Sequence, residues 1–255
     1  MSAKIAIIDI ETSPHLAYTW GLFNQNIGLP QLVTPSRMLS FAAKWYGERK
    51  VEFHSEFNFE TGELDNHAGM VQACHDLLDR ADIVVHFNGK SFDVPHIERE
   101  FMLAELPPPS PFKQIDLYHA ARRARWASNK LQHVSTELGL EGKVQHEGFG
   151  LWLKVLAGDP KAWRKFRTYN RGDVVQTEKL YDRIRPWIRS HPHLGLYGDL
   201  EVDCCGKCEG EDLERRGLAY TPLGVYQQYR CKACGAWSRG KKALATVSAR
   251  PVAGA

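Results

Sequence analysis

No apolar run in the 255-residue chain is long enough to cross a bilayer as a helix. Near the start, Ile5-Ala6-Ile7-Ile8 is cut short by Asp9, so no secretory leader is expected, and the chain reads as cytoplasmic with no membrane partner. Solenoid repeats are missing too, and low complexity is confined to a short Gly-, Ala- and Lys-containing tail. Net charge is only +3, too mild to announce a polyanionic partner by itself. Cysteine is scarce until late in the chain. Cys74 stands alone, whereas Cys204, Cys205, Cys208, Cys231 and Cys234 crowd together, and in a reducing compartment such clustering points to metal rather than a disulfide framework. What is present is ordinary globular material, with 43% hydrophobic and 25% charged residues, enough for one well-buried domain and a small appendage.

The patterning predicts an α/β chain. Residues 4 to 11 read as a strand buried on both faces, with Ile5, Ile7, Asp9 and Glu11 on one side and Ala6, Ile8 and Ile10 on the other. Strands are also expected over 38–46 and 50–56, then a helix carrying Met70, Cys74, Leu77 and Leu78, then a strand at Ile83-Val84-Val85 ending near Asn88-Gly89. A helix follows Asp93-Val94-Pro95 and stops before Pro107-Pro108-Pro109. A short strand near Ile115 passes into helical segments, and the last long helix, Asp159 to about Ile188, is expected to break near Arg167 to Tyr169. The main domain is assigned to 1–195, a cysteine module to 200–240 and a flexible tail to 241–255.

Two features carry chemistry. Asp9 and Glu11 project from one face of an apolar strand, Asp93 lies just past another strand, and Asp173 sits on a late helix with Tyr169 one turn earlier. Carboxylates gathered in a low-dielectric cleft repel one another unless a cation compensates them, and hard oxygen ligands select magnesium or manganese. Two such ions about 4 Å apart can activate water against a phosphodiester. Taken singly, Asp93 also reads as a helix cap, Asp173 as a solvated helix residue and Tyr169 as packing; Asp116 reads as a cap, not a ligand. The second feature is the pair of knuckles Cys205-Gly206-Lys207-Cys208 and Cys231-Lys232-Ala233-Cys234. It has the four-thiolate pattern of a zinc ribbon, with one structural zinc and Cys204 left free.

Asp9-Ile10-Glu11-Thr12, Asn88-Gly89-Lys90-Ser91-Phe92-Asp93 and Tyr169-Asn170-Arg171-Gly172-Asp173 resemble, in order, the three exonuclease motifs of the DEDD superfamily, which includes the proofreading domains of family B DNA polymerases. The resemblance covers about residues 4 to 190 and implies a ribonuclease H-like mixed sheet flanked by helices, with the zinc ribbon outside it. In its histidine branch a His stands five residues before the last Asp, where this chain has Thr168. Its tyrosine branch has a Tyr four residues before, matching Tyr169. By this resemblance Asp9, Glu11, Asp93 and Asp173 hold two magnesium or manganese ions and Tyr169 positions the attacking water. Thr12, Asn88 and Phe92 contact the end of the substrate strand, Phe92 being equally readable as a core residue. The implied activity is a 3′-5′ exonuclease that releases 5′-mononucleotides from single-stranded or 3′-ended DNA, with a DNA polymerase or replication protein as a partner. The rival readings are an RNA exonuclease and a catalytically inactive ribonuclease H-like binding module.

Overall fold

The computed structural model describes residues 2–140, 148–198 and 203–248. Two compact units make up the chain: Lys4–Asp182, and Arg183–Ala255 together with Met1–Ala3. Among the described residues no helix is long and apolar enough to cross a membrane.

The larger unit opens with β1 (Ile5–Thr12), a short pair β2 (Leu16–Ala17) and β3 (Leu32–Thr34), and then β4 (Met38–Trp45) and β5 (Glu52–Ser55). Helix α1 (His67–Asp79) leads to β6 (Ile83–His86), α2 (Asp93–Leu103) and β7 (Lys113–Asp116). Four helices follow: α3 (Leu117–Arg122), α4 (Leu131–Glu137), α5 (Phe149–Leu156) and α6 (Pro160–Ile184). The main sheet has the order β5-β4-β1-β6-β7, in which β1 runs antiparallel to β4 and parallel to β6. It is therefore a mixed sheet, with β1 at its centre.

Alternation along β1 decides what lies on each side. Ala6, Ile8 and Ile10 join Phe41, Val84, Met70, Leu77 and Ile97 in a core beneath α1 and α2. On the other face Leu39 packs with Leu151, Val155, Trp163 and Phe166 from α5 and α6. Each such fully buried Val, Leu, Ile or Phe side chain contributes about 1.5–3 kcal/mol of burial free energy. The pairing of β1 with β4 jumps from Glu11↔Ser40 to Thr12↔Met38, leaving Leu39 as an extra residue. A bulge of this kind re-aims side chains at the end of a strand.

Helix α6 corrects one sequence expectation, because it runs unbroken from Pro160 to Ile184 through the segment where a break was expected. Trp163, Phe166, Asn170, Asp173, Val174, Thr177 and Tyr181 are all buried at three- and four-residue spacing. One continuous stripe thus holds the helix against the sheet, and the polar members of that stripe disguise its continuity in the sequence.

Residues 13–36 form an arm without a single Asp, Glu, Lys or Arg. Its base is tied by Ser13 N–H donating to Arg37 O, at 2.8 Å, and by the β2–β3 pair. Further out Tyr18, Trp20, Leu22 and Phe23 are exposed, Trp20 at 98%.

The smaller unit carries a three-stranded antiparallel sheet of β8 (Leu213–Tyr220), β9 (Gly224–Cys231) and β10 (Trp237–Thr246), in the order β10-β9-β8. Here the expected flexible tail from 241 is corrected in part. Ala243, Ala245 and Thr246 pair with Tyr226, Val225 and Gly224, so the hairpin ladder continues to Thr246; residues 249–255 lie outside the described residues.

Candidate functional site

Asp9 and Glu11 leave β1 on the face that α6 covers, and Asp173 approaches from α6. One carboxylate oxygen from each of these three lies within 4.8 Å of the others. Asn170 locks α6 onto β1: its side-chain amide donates to Asp9 Oδ2 at 2.7 Å and to the Asp9 carbonyl at 3.2 Å, while its Oδ1 accepts from Ser40 Oγ at 3.0 Å. The hydroxyl of Ser40 and the carboxylate of Asp9 together fix which way this amide points.

The electrostatics are those of a site short of positive charge. Burial pushes the Asp9 carboxyl well above its usual range, and Asp93, Glu11 and Asp173 push it further, against the hydrogen bond from Asn170. Asp93 is buried at the start of α2, outside the group of three, and its Oδ1 accepts from Ile10 N–H at 3.0 Å. Burial raises its pKa to about 7, although the backbone N–H groups of Ile10 and Asp93 oppose this. Gathered oxygens that resist ionisation are a donor set suited to a hard divalent cation. Asp9, Glu11 and Asp173 thus form a group that could hold a divalent metal ion.

Tyr169 is buried one turn before Asp173, and its hydroxyl donates to the Asp173 carboxylate. Burial and then the charges of Glu11, Asp173 and Asp9 drive its pKa far upward, so the phenol keeps its proton. Thr168, in the place of the histidine branch's base, is exposed and donates its hydroxyl back to Arg164 O.

Trp152 and Asn170 join the site without having been marked by sequence reasoning. The Trp152 indole N–H donates to Thr12 O at 3.0 Å, and its ring meets that of Tyr169 edge-on, with centroids 6.1 Å apart. No motif spacing marks Trp152, which comes from α5; Asn170 stands in plain view between Tyr169 and Asp173. Asn88 takes a left-handed backbone conformation at φ 67°, and Phe92 is 38% exposed, its ring tilted against His96. Phe92 is therefore not a core side chain.

In the smaller unit the sulfurs of Cys205, Cys208, Cys231 and Cys234 lie within 4.8 Å of one another. Cys205 Sγ is 3.7 Å from Cys234 Sγ, and Cys208 Sγ is 3.6 Å from Cys231 Sγ. Each knuckle closes on a left-handed residue just after its second cysteine, Glu209 at φ 59° and Gly235 at φ 78°. Around the sulfurs the buried core is Cys205, Cys231 and Ala236, with Cys208, Leu213 and Cys234 against it. Four sulfurs at this separation suit one tetrahedral metal ion. Cys204 is not one of the four.

Among solved structures, the family B DNA polymerase from the hyperthermophilic archaeon Pyrobaculum calidifontis is similar to this chain, with a TM-score of 0.51 at 15% sequence identity. The likeness covers 72% of this chain but only 25% of the polymerase, so the chain spans about a quarter of that protein's length, and at this identity it concerns the fold. No curated protein matches the chain. A family profile, RNase_H_2 of the RNase_H superfamily, matches residues 34–185, leaving out β1 with Asp9 and Glu11, which the fold itself sets beside Asp173. That match takes in more than half of the residues, and on it the chain belongs to the RNase_H superfamily.

Proposed function

We propose that the chain is a metal-dependent 3′-5′ exonuclease of the tyrosine branch, which hydrolyses the terminal phosphodiester of DNA and releases 5′-mononucleotides. The observation that carries this reading is the convergence of Asp9, Glu11 and Asp173, with the Tyr169 hydroxyl bonded to Asp173. Asp9, Glu11, Asp93 and Asp173 would hold two magnesium or manganese ions. When bound, such ions supply an activated water and stabilise the leaving oxygen. Asn170 fixes the Asp9 carboxylate, and Trp152 holds the end of β1 against the Tyr169 ring. A phenol that keeps its proton is no base at neutral pH, so Tyr169 orients the nucleophile through its hydroxyl. Asn88, Phe92 and Thr12 form the contact for the last nucleotide, Phe92 by stacking on its base. The four thiolates hold a structural zinc, and the strands around it, with Arg239 over Tyr226, offer a second contact for nucleic acid or a replication partner.

DNA is the substrate proposed, in keeping with the DNA polymerase to whose fold this chain is similar. Purified protein with end-labelled single-stranded DNA and RNA, in magnesium or manganese, tests both points in one assay. Stepwise shortening of DNA from the 3′ end is expected, and Asp9→Ala should abolish it. Cleavage of RNA alone would reassign the substrate. Cleavage of neither by a folded, metal-loaded protein would leave a binding module.

A further inference from the structure

Asp116 is the carboxylate that the exonuclease reading leaves without a task. It is buried at the end of β7, outside the acidic group. Both of its oxygens face N–H groups: Oδ1 accepts from Asn88 N at 2.9 Å and Tyr118 N at 3.0 Å, and Oδ2 accepts from Lys90 N at 3.1 Å. The amide between those two, Gly89 N–H, donates to Nδ1 of His86 at 3.0 Å. That nitrogen must therefore be unprotonated, which puts the ring hydrogen on Nε2, 3.2 Å from Gln114 Oε1. Burial lowers the His86 pKa, against the pull of Asp116 and Gln114.

Three successive amides, 88 to 90, are thus gripped by side chains from the adjoining ends of β6 and β7, where His86 pairs with Asp116. An irregular turn has no ladder to satisfy its backbone, so each of these bonds is an ordering contact. The turn sets Asn88 in the left-handed region at φ 67°, which asparagine adopts more readily than most residues, and the bond to Asp116 fixes its amide there. His86 also sits directly under Gly89, where an added Cβ would come within 2.4 Å of the ring.

We infer that Asp116 is a positioning residue for the substrate end: by clamping the amides of Asn88 and Lys90 it presents Asn88 and Phe92 to the terminal nucleotide, and it binds no metal. The inference rests on the role proposed above for those two residues. Asp116→Asn is the informative change, because its NH2 group would face a backbone N–H in place of an acceptor.

The expected outcome is a KM for a 5′-labelled single strand raised about 10-fold, with kcat within about 3-fold of wild type and manganese affinity unchanged. Amide hydrogen exchange should show Asn88 and Lys90 both protected in the wild type and at least one of them, the one left facing the NH2 group, freed in the variant. A freed amide with an unchanged KM would overturn the inference, as would a manganese affinity lost as in Asp93→Asn. Should Asp116→Asn fail to fold, Asn88→Gly tolerates the same φ and removes only the presented side chain, so an unchanged KM there overturns it equally. A wild type that cleaves nothing would count against the nuclease reading alone. The Kd for the strand, read by fluorescence anisotropy, then decides the role of Asp116 by the same tenfold criterion.

Discussion

At the scale of single residues, the proposed site separates groups that could hold a cation from groups that hold a geometry. Asp9→Asn, Glu11→Gln and Asp173→Asn should each lower turnover by orders of magnitude with the fold intact, because each removes an anionic oxygen from a set that works as one. Asp9→Asn should also melt at a higher temperature than wild type in chelator, since its carboxylate is both buried and repelled by three neighbours. Calorimetry with and without manganese reads both effects; a lower melting point in chelator would mean that the Asn170 bond outweighs the repulsion. Tyr169→Phe keeps the ring against Trp152 and loses only the hydroxyl, so single-turnover rates should fall about 10- to 100-fold with metal affinity unaltered. The period of two along β1 is by itself enough to place Asp9 and Glu11 on one face. The partner of that face is not written in the same period. Asn170 binds Asp9 and Ser40 across long stretches of chain, and no local spacing encodes such a contact.

Between elements, α1, α2 and the start of β4 are joined by a network of charges. His67, the first residue of α1, lies 3.2 Å from Glu100 of α2 and 3.8 Å from Glu56, while Glu100 also accepts from Met38 N–H. The hydrogen bond to Glu100 and the nearby charge of Glu56 lift His67 from 6.5 to about 9, against its partial burial. Burial raises Glu100, but His67, the Met38 amide and Arg99 outweigh it and hold the carboxyl at about 2. A raised histidine contributes stability in full below its unfolded value and loses it as pH climbs through about 9. The depressed glutamate contributes above 4.5 and loses it as pH falls through about 2. The tie is therefore fully present from 4.5 to 6.5. His67→Gln should lower the melting temperature by a few degrees near pH 6 and by progressively less toward pH 10; a deficit independent of pH would make His67 a packing residue. Apolar periodicity makes β4, α1, β6 and α2 legible to within a few residues. Residues 13–36, with neither regular period nor charge, offer no such purchase, and β10 outruns its expected end because pairing to β9, not local composition, carries it to Thr246.

On the scale of the whole molecule, Asp9, Glu11, Asp93 and Asp173 belong to the Lys4–Asp182 unit and the clustered cysteines to the other. Metal analysis of the intact chain should find one tightly held zinc, and Cys205→Ser with Cys208→Ser should lose it while still cleaving a short oligonucleotide at saturating concentration. Abolished cleavage in that folded variant would tie the cysteines to the chemistry. The charge-free arm with Trp20 and Leu22 bare to solvent has a consequence for how the protein behaves in bulk. Binding to a phosphate backbone weakens as salt rises, whereas sulfate and similar salts strengthen the sticking of apolar surface. Two kinds of association in one protein should therefore respond to salt in opposite directions. On a hydrophobic column in ammonium sulfate, Trp20→Lys with Leu22→Lys should elute well ahead of wild type, and the variant should stay in solution at salt concentrations where the natural sequence drops out.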